Sequence, residues 1–205
     1  MLRRQTRIMA IQQNVTLNTQ RAFVFLKEMA ITFDRPPDPP PGSMQHDLMS
    51  RLGAAHLSIR SWRISPIWEN SGNTPTRRLM LNFACREFSE PIPKDFDFPY
   101  EAVPEPSFIG PKAITLGSGV RLGADLIDKL AEHGNHQLYV WGFADYDDVF
   151  ENTARHRTEF CFRVEVTGSN SDGFPMLAFP LHDKHNGADH ECYRQPAPYV
   201  EPQKA

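Results

Sequence analysis

Between Gln137 and Val166 the chain reads QLYVWGFADYDDVFENTARHRTEFCFRVEV, the stretch that most narrows what it can fold into. In its second half Thr158, Phe160, Phe162, Val164 and Val166 alternate with Arg157, Glu159, Cys161, Arg163 and Glu165. A period of two, rich in aromatic and β-branched residues, is the pattern of a half-buried strand. Here one face is apolar and the other mostly charged. The first half is apolar on both faces, with Leu138, Val140, Ala144 and Tyr146 against Tyr139, Trp141 and Phe143. Such a strand belongs in the middle of a sheet covered on each side. The two are predicted to pair antiparallel. Their connection, Asp147 to Arg155, is longer than a tight hairpin, and Val149 and Phe150 are expected to fold back onto the sheet.

The rest of the chain repeats this theme. Arg21–Phe33 (RAFVFLKEMAITF) is apolar enough for a central strand. Ala55–Trp68 alternates through Leu57 and Ile59, then slips phase to Ile64 and Ile67, which predicts one long strand with a bulge near Ser61–Trp62. Arg78–Phe88 sets Leu79, Leu81, Phe83 and Cys85 on one face, so Cys85 reads as a small core residue. Ala113–Leu116 and Val120–Leu122 flank a Gly-Ser-Gly turn, and Phe174–Leu181 is a last short strand. Ala124–Glu132 is a short helix with Leu126, Ile127 and Leu130 inward and Gly134 placed to end it. Met1–Gln20 is expected to be helical, with a thin stripe of Ile8, Ile11, Val15 and Leu17 behind Arg3, Arg4 and Arg7. A stripe so thin reads as a solvated arm, with an anionic membrane surface as the alternative. Arg35–Ser43 (RPPDPPPGS) cannot pair in a sheet and reads as an exposed insertion loop. Ser89–Pro111 is too long for a connector and is expected to wrap the edge with its Phe and Tyr side chains tucked in.

Eighteen prolines against 12 glycines, one short internal helix and no βαβ rhythm predict a mainly β chain. The expected fold class is an antiparallel immunoglobulin-like β-sandwich with a short N-terminal helix, a small barrel being the runner-up. Its organisation reads as a helical arm over 1–20, a sandwich over 21–182 with a proline-rich insertion at 35–43, and a polar C-terminal extension over 183–205. Lys and Arg number 22 against 25 Asp and Glu, a net charge of −3, which shows no basic excess for nucleic acid. No apolar run approaches the about 18 residues that span a bilayer, and MLRRQTRIMAIQQ lacks an apolar core of signal-peptide length. The chain as written is expected to be soluble. Its three cysteines, Cys85, Cys161 and Cys192, are too few and too scattered for a disulfide scaffold.

Three groups of residues could carry chemistry. In HDKHNGADHEC stand His182, His185, Asp189, His190 and Cys192, all metal-ligand types, and His156 of the second strand is the residue that would complete a buried site. Zinc is the ion for such a set, but His182-x-x-His185 lies in a polar loop with no matching second pair. A solvated loop is the preferred reading, and no cofactor is called for. Asp145, Asp147 and Asp148 lack the spacing of a calcium loop and read as turn chemistry. Cys161 with His156 and an Asp would make a nucleophilic set, yet Cys161 is mid-strand with nothing to lower its pKa. No phosphate-cradling glycine motif is present.

WENSGNTPTRRLML resembles the N-x-G-N-T-P turn and following strand of a group of uncharacterised bacterial proteins. LYVWGFADYDDVF followed by HRTEFCF resembles that family's Y-x-D-x-F and H-x-T-x-F-C signature, and KHNGADHEC its H-N-C-A-D-x-x-C end motif. NTQRAFVFL lies where the family's first strand begins, so the resemblance spans about Thr19 to Cys192. It implies no chemistry, because the family's function is unknown. Family members carry a transmembrane helix and a helical spacer before that strand, which implies attachment to the inner membrane if such a helix lies upstream. Gly187 stands in place of the motif's first cysteine, so any pairing or metal site of that cysteine is lost, while Cys161 and Cys192 stand at matching positions.

The sequence thus reads as a non-catalytic interaction module with an unidentified protein partner, membrane-associated only by resemblance. Binding is expected at loops of one sandwich end, Asn70–Thr76 and Asp147–Arg155. The alternatives are a metal-binding enzyme or sensor built on the C-terminal His/Asp/Cys segment, and a structural accessory subunit of a larger complex.

Overall fold

In the computed structural model, residues 12, 15–17, 19–35, 37, 39–44, 46–48, 59–100, 104–132, 135–171 and 173–199 are described. Their strands are β1 (Val24–Asp34), β2 (Ser61–Asn70), β3 (Arg77–Phe88), β4 (Glu105–Ser107), β5 (Ile114–Leu116), β6 (Val120–Gly123), β7 (Gln137–Asp147), β8 (His156–Ser169), β9 (Pro175–Ala178) and β10 (Gly187–Ala188). The fold is mainly β, two antiparallel sheets packed as a sandwich. The first sheet runs β1-β2-β5 with β6 also on β2; the second runs β10-β8-β7-β3-β4 with β9 also on β8.

β7 is central, between β3 and β8, and buried along nearly its whole length, as its two apolar faces require. Between the sheets lie Ile64, Trp68, Leu79, Leu81, Val140, Phe160 and Val164. Trp68 sits 5.4 Å from Phe160, which in turn lies 6.0 Å from Phe83. Where β7 passes β3 and β8 at Gly142, a Cβ would run into Asn82 O and come within 3.0 Å of Phe160 Cζ. Gly142→Ala is therefore expected to destabilise by about 1–3 kcal/mol, the usual cost of overpacking. A denaturation midpoint unchanged from wild type would show that the strands part without cost.

β5 and β6 are one interrupted edge strand, not two arms of a turn. Both pair with β2 in the same sense, Leu116 opposite Ile67 and Val120 opposite Ile64. Residues 117–119 bulge past Pro66, whose carbonyl accepts the Gly117 N–H at 2.8 Å. A strand residue's N–H and C=O point the same way, so the donor that proline lacks would have met this gap. The bulge expected in β2 near Ser61–Trp62 is absent. β2 pairs evenly with β1 from Ser61 to Ile67, and the irregularity lies in β1 between Leu26 and Glu28. Residues 55–58, the start of the expected long strand, lie outside the described residues, as does most of the N-terminal arm, of which Gln12, Val15–Leu17 and Thr19–Gln20 are helical. The internal helix Ala124–Ala131 buries Ile127 and Leu130 and closes at Glu132. Gly134, expected to end it, lies outside the described residues.

The larger departure concerns the outer face of the second sheet. Phe96, Phe98 and Tyr100 pack there on Trp141 and Tyr139, and the Trp141 indole donates to Pro99 O at 3.2 Å. Ser89–Pro111 thus covers a face with its aromatic rings as well as the edge, where its Glu105–Ser107 adds β4 beside β3. The segment after His182 is also built into the domain. β10 pairs with Thr158 and Glu159, and His185 and Cys192 are buried. Part of the expected polar extension, Gly187–Ala188, thus serves as the neighbour of β8 on that side.

Candidate functional site

The motif residues gather around one short piece of backbone, Arg21 to Val24, where the chain enters β1. The first motif begins at Asn70, which is fully buried. Its Oδ1 accepts from Phe23 N at 3.0 Å and Gly72 N at 2.9 Å, and its Nδ2 donates to Thr74 O at 2.8 Å and Gly110 O at 3.1 Å. An Asn side chain hydrogen-bonding its own backbone two residues on is the usual Asx-turn device, and here the same oxygen also reaches the first strand. Ser71 N donates to Phe23 O, and Asn73 Nδ2 to Thr19 O. At Gly72 a Cβ would collide with Arg21 O and lie 2.7 Å from Ala22 Cα, so only glycine lets the chains approach. Thr76 closes the turn, its hydroxyl accepting Ile109 N at 2.9 Å. Asn70–Thr76, one of the two loops where binding is expected, is thus tied as a packed knot to the entry of β1.

The second signature grips the same backbone from the other sheet. The Tyr146 hydroxyl accepts Val24 N at 3.2 Å, and the Thr158 hydroxyl donates to Val24 O at 2.6 Å. His156 lies beside Tyr146, its Nε2 3.2 Å from Asp148 Oδ2 and its Nδ1 2.9 Å from Asp189 Oδ1. Arg21 Nη1 donates to Asp189 Oδ2 at 2.8 Å and stands 2.8 Å from His156 Nδ1. The two carboxylates each call for a donor on the ring and so favour the imidazolium, whose Nδ1 then faces the Arg21 guanidinium donor to donor at 2.8 Å, a repulsion offset by the hold of the far Asp189 oxygen on Arg21. Asp189 takes a left-handed backbone, φ 52°, which Asp tolerates better than most residues.

These contacts set the charge states. Burial works against the His156 cation, but hydrogen bonds and charge from Asp189, with the hydrogen bond to Asp148, outweigh it and raise its pKa above the ordinary 6.5. Burial works against the Asp189 anion, but His156 and Arg21 win and lower its pKa from 3.8 to about 2. The sign of each stability effect follows by linkage. The raised His156 contributes fully below pH 6.5 and loses its effect as pH climbs through its folded value. The lowered Asp189 contributes fully above pH 3.8 and loses its effect as pH falls toward 2. The cluster therefore stabilises most between these limits. In melting curves from pH 4 to 9, wild type is expected to lose stability above pH 6.5, and His156→Asn is expected to remove that fall. A variant with the wild-type slope would mean that another group titrates there.

The acidic run Asp145, Asp147, Asp148 is neutralised residue by residue. Asp145 binds Arg157 at 2.6 and 2.9 Å, both side chains buried. Asp147 pairs with Arg78 at 3.2 Å and Arg155 at 3.1 Å, and Asp148 Oδ1 takes the Thr153 hydroxyl at 2.7 Å and Phe150 N at 2.8 Å.

Of the metal candidates, the structure joins only His156 and Asp189. His182 lies 5.4 Å from the rings of Phe98 and Tyr139. His185 is buried between Phe98 and Tyr193, its Nδ1 3.8 Å from Glu159 Oε1, with neither ring nitrogen hydrogen-bonded. His190 is exposed, and the Cys192 thiol faces Arg157 O at 3.4 Å. Among the described residues no group of three or more His, Cys, Asp or Glu side chains could hold a metal ion. Sequence proximity misleads here because His185 at φ 57° and Asp189 at φ 52° turn the loop, sending successive side chains different ways.

Burial pushes the Cys161 and Cys192 thiols up to about 12, against nucleophilic use. Both are free thiols, Cys161 within β8 and Cys192 packed at Arg157. Both thiols are expected to resist a thiol reagent at pH 8 until the protein is unfolded. Rapid reaction of either in the native state would overturn this.

Sequence reasoning missed Arg21, Asn70 and Glu159 as parts of these clusters. The quoted N-x-G-N-T-P motif is the signal that pointed to Asn70. Nothing local marks Arg21, which meets its partners His156 and Asp189 across 135 and 168 residues of chain. Comparisons with protein-family models, with curated proteins and with solved structures return no match.

Proposed function

We propose that the chain is a non-catalytic, immunoglobulin-like interaction module that binds a protein partner through the Asp147–Arg155 loop. One observation carries this reading: the polar side chains of its signature motifs engage one another and the backbone of Arg21–Val24, so they hold structure and are not turned toward a substrate. The Cys161 and Cys192 thiols are buried and held protonated. The loop differs in kind. Asp148 anchors its base, while Glu151–Ala154 stand exposed at the tip beside an open depression lined by Arg77, Arg78 and Phe150. A rigid sandwich presenting an exposed loop is a common binding design.

Membrane association belongs to this proposal through the family resemblance. Among the described residues no helix is long and apolar enough to cross a membrane. A segment preceding Arg21 would join the domain where the motifs grip hardest, so a membrane anchor there would hold the sandwich in a set orientation. The test is a photo-crosslinking residue at Asn152, compared with one at Lys129 on the internal helix, in cells making the protein. A discrete adduct from Asn152 alone is the expected result. The same pattern from both positions would sink the proposal.

A further inference from the structure

After Cys192 the chain crosses the outer face of the second sheet, from β8 over β7 to β3. Cys192 sits at Arg157 on β8, Ala197 N donates to Asp145 Oδ2 on β7 at 3.2 Å, and the Tyr199 ring lies 5.5 Å from the Arg78 guanidinium on β3. Beneath it is a trough of aromatic rings and arginine planes. The Arg157 guanidinium, held by Asp145, stands 4.2 Å over the Phe143 ring. Tyr100 meets Phe143 edge-on at 4.5 Å and lies 5.1 Å from the Arg194 guanidinium. Arg155, 5.8 Å from the Tyr199 ring, joins Arg78 at the far end.

The segment in the trough is Gln195-Pro196-Ala197-Pro198-Tyr199. Neither proline has an N–H to leave unsatisfied, and the one donor between them meets the Asp145 carboxylate. Preformed proline-rich peptides docking on aromatic-lined grooves through few hydrogen bonds are a recurring recognition mode. The attachment is light. Among the described residues no backbone–backbone hydrogen bond joins 194–199 to the sheet. Gln195, Ala197 and Pro198 remain exposed, whereas Asp145, Arg157 and Phe143 below are buried.

We propose that this trough is a binding site for Pro-x-Pro-Tyr segments of a partner protein, and that the chain's own C-terminal segment occupies it as a displaceable stand-in. The site is a second surface that adjoins the Glu151–Ala154 tip at Arg78 and Arg155. A tethered occupant competes at high effective concentration, so an outside peptide binds the intact protein weakly and gains when the tethered copy is loosened.

The test uses the full chain and a fluorescent peptide of sequence YRQPAPYVEPQKA, with a control peptide in which both central prolines are alanine. Anisotropy titrations compare wild type with the variant Pro196→Gly, Pro198→Gly, Tyr199→Ala. The loosened variant is expected to bind the peptide about tenfold or more tighter than wild type, and the control about tenfold or more weaker. Adding Tyr100→Ala to the loosened variant removes one wall and is expected to abolish binding without lowering the melting temperature in proportion. Equal binding by wild type and loosened variant, or of both peptides, would overturn the proposal. A wild-type dimer in sedimentation that separates on loosening would assign the seat to a second copy and also overturn it. A crosslink at Asn152 without peptide binding would remove the trough alone, and the reverse would remove the loop alone.

Discussion

Asn70→Ala is expected to cost about 4 kcal/mol or more of folding stability, since a buried backbone group left without a partner costs about 1–3 kcal/mol. The alanine frees Phe23 N, Gly72 N, Thr74 O and Gly110 O together, in a place where Asn70 itself is 0% exposed. Against a usual total of about 5–15 kcal/mol, that brings the domain close to unfolding at room temperature. Asn70→Asp keeps an acceptor for the two N–H groups but turns its second oxygen toward two carbonyls, so it is expected to recover only part of the loss. Urea denaturation followed by tryptophan fluorescence, with Trp68 and Trp141 in the core, reads both. An alanine variant within 1 kcal/mol of wild type would mean that the turn does not hold β1 in place.

Asp145→Ala comes next in size. It leaves the Arg157 guanidinium, 3% exposed, without its carboxylate, and removal of one partner of a buried pair costs about 3–5 kcal/mol. Replacing both, Asp145→Ala with Arg157→Leu, is expected to restore much of that loss, because neither member of the buried pair is then left without its partner. If the double variant were as unstable as the single one, packing of Arg157 on Phe143 and Tyr100 would outweigh its charge. Either result separates an ion pair kept for stability from one kept for the shape of the trough.

Part of this was readable from the residues. The two apolar faces of Leu138–Tyr146 required a central strand, and β7 is one. Thr158, Phe160, Val164 and Val166 required an inward face, and they are buried. The opposite face of β8 was misread. Arg157, Glu159 and Cys161 looked like the water side of a half-buried strand, yet Arg157 and Glu159 are each 3% exposed and Cys161 is 0% exposed. The alternation is real, but coverings from 89–100 and 183–199 convert its charged face into an interior. Further along β8, where those coverings end, Arg163 and Thr167 are exposed as the pattern alone predicts.

The candidate site divides the same way. Residue types within a turn were visible, so the Asn70–Thr76 motif stood out before its role was known. Its role as a knot depended on Arg21–Phe23 lying against it, a contact made across 47 residues between Phe23 and Asn70. His156, which the sequence offers only as the residue that would complete a buried metal site, instead sits in an ion-pair cluster with Asp189, Asp148 and the Arg21 cation. By itself the sequence determined the strand periods and the turn chemistry. Those follow from backbone geometry over a few residues, which every residue carries with it. Which charged side chains become partners, and which face of β8 stays wet, only the tertiary structure decided. Both depend on distant segments that come together only when the two sheets and their coverings pack.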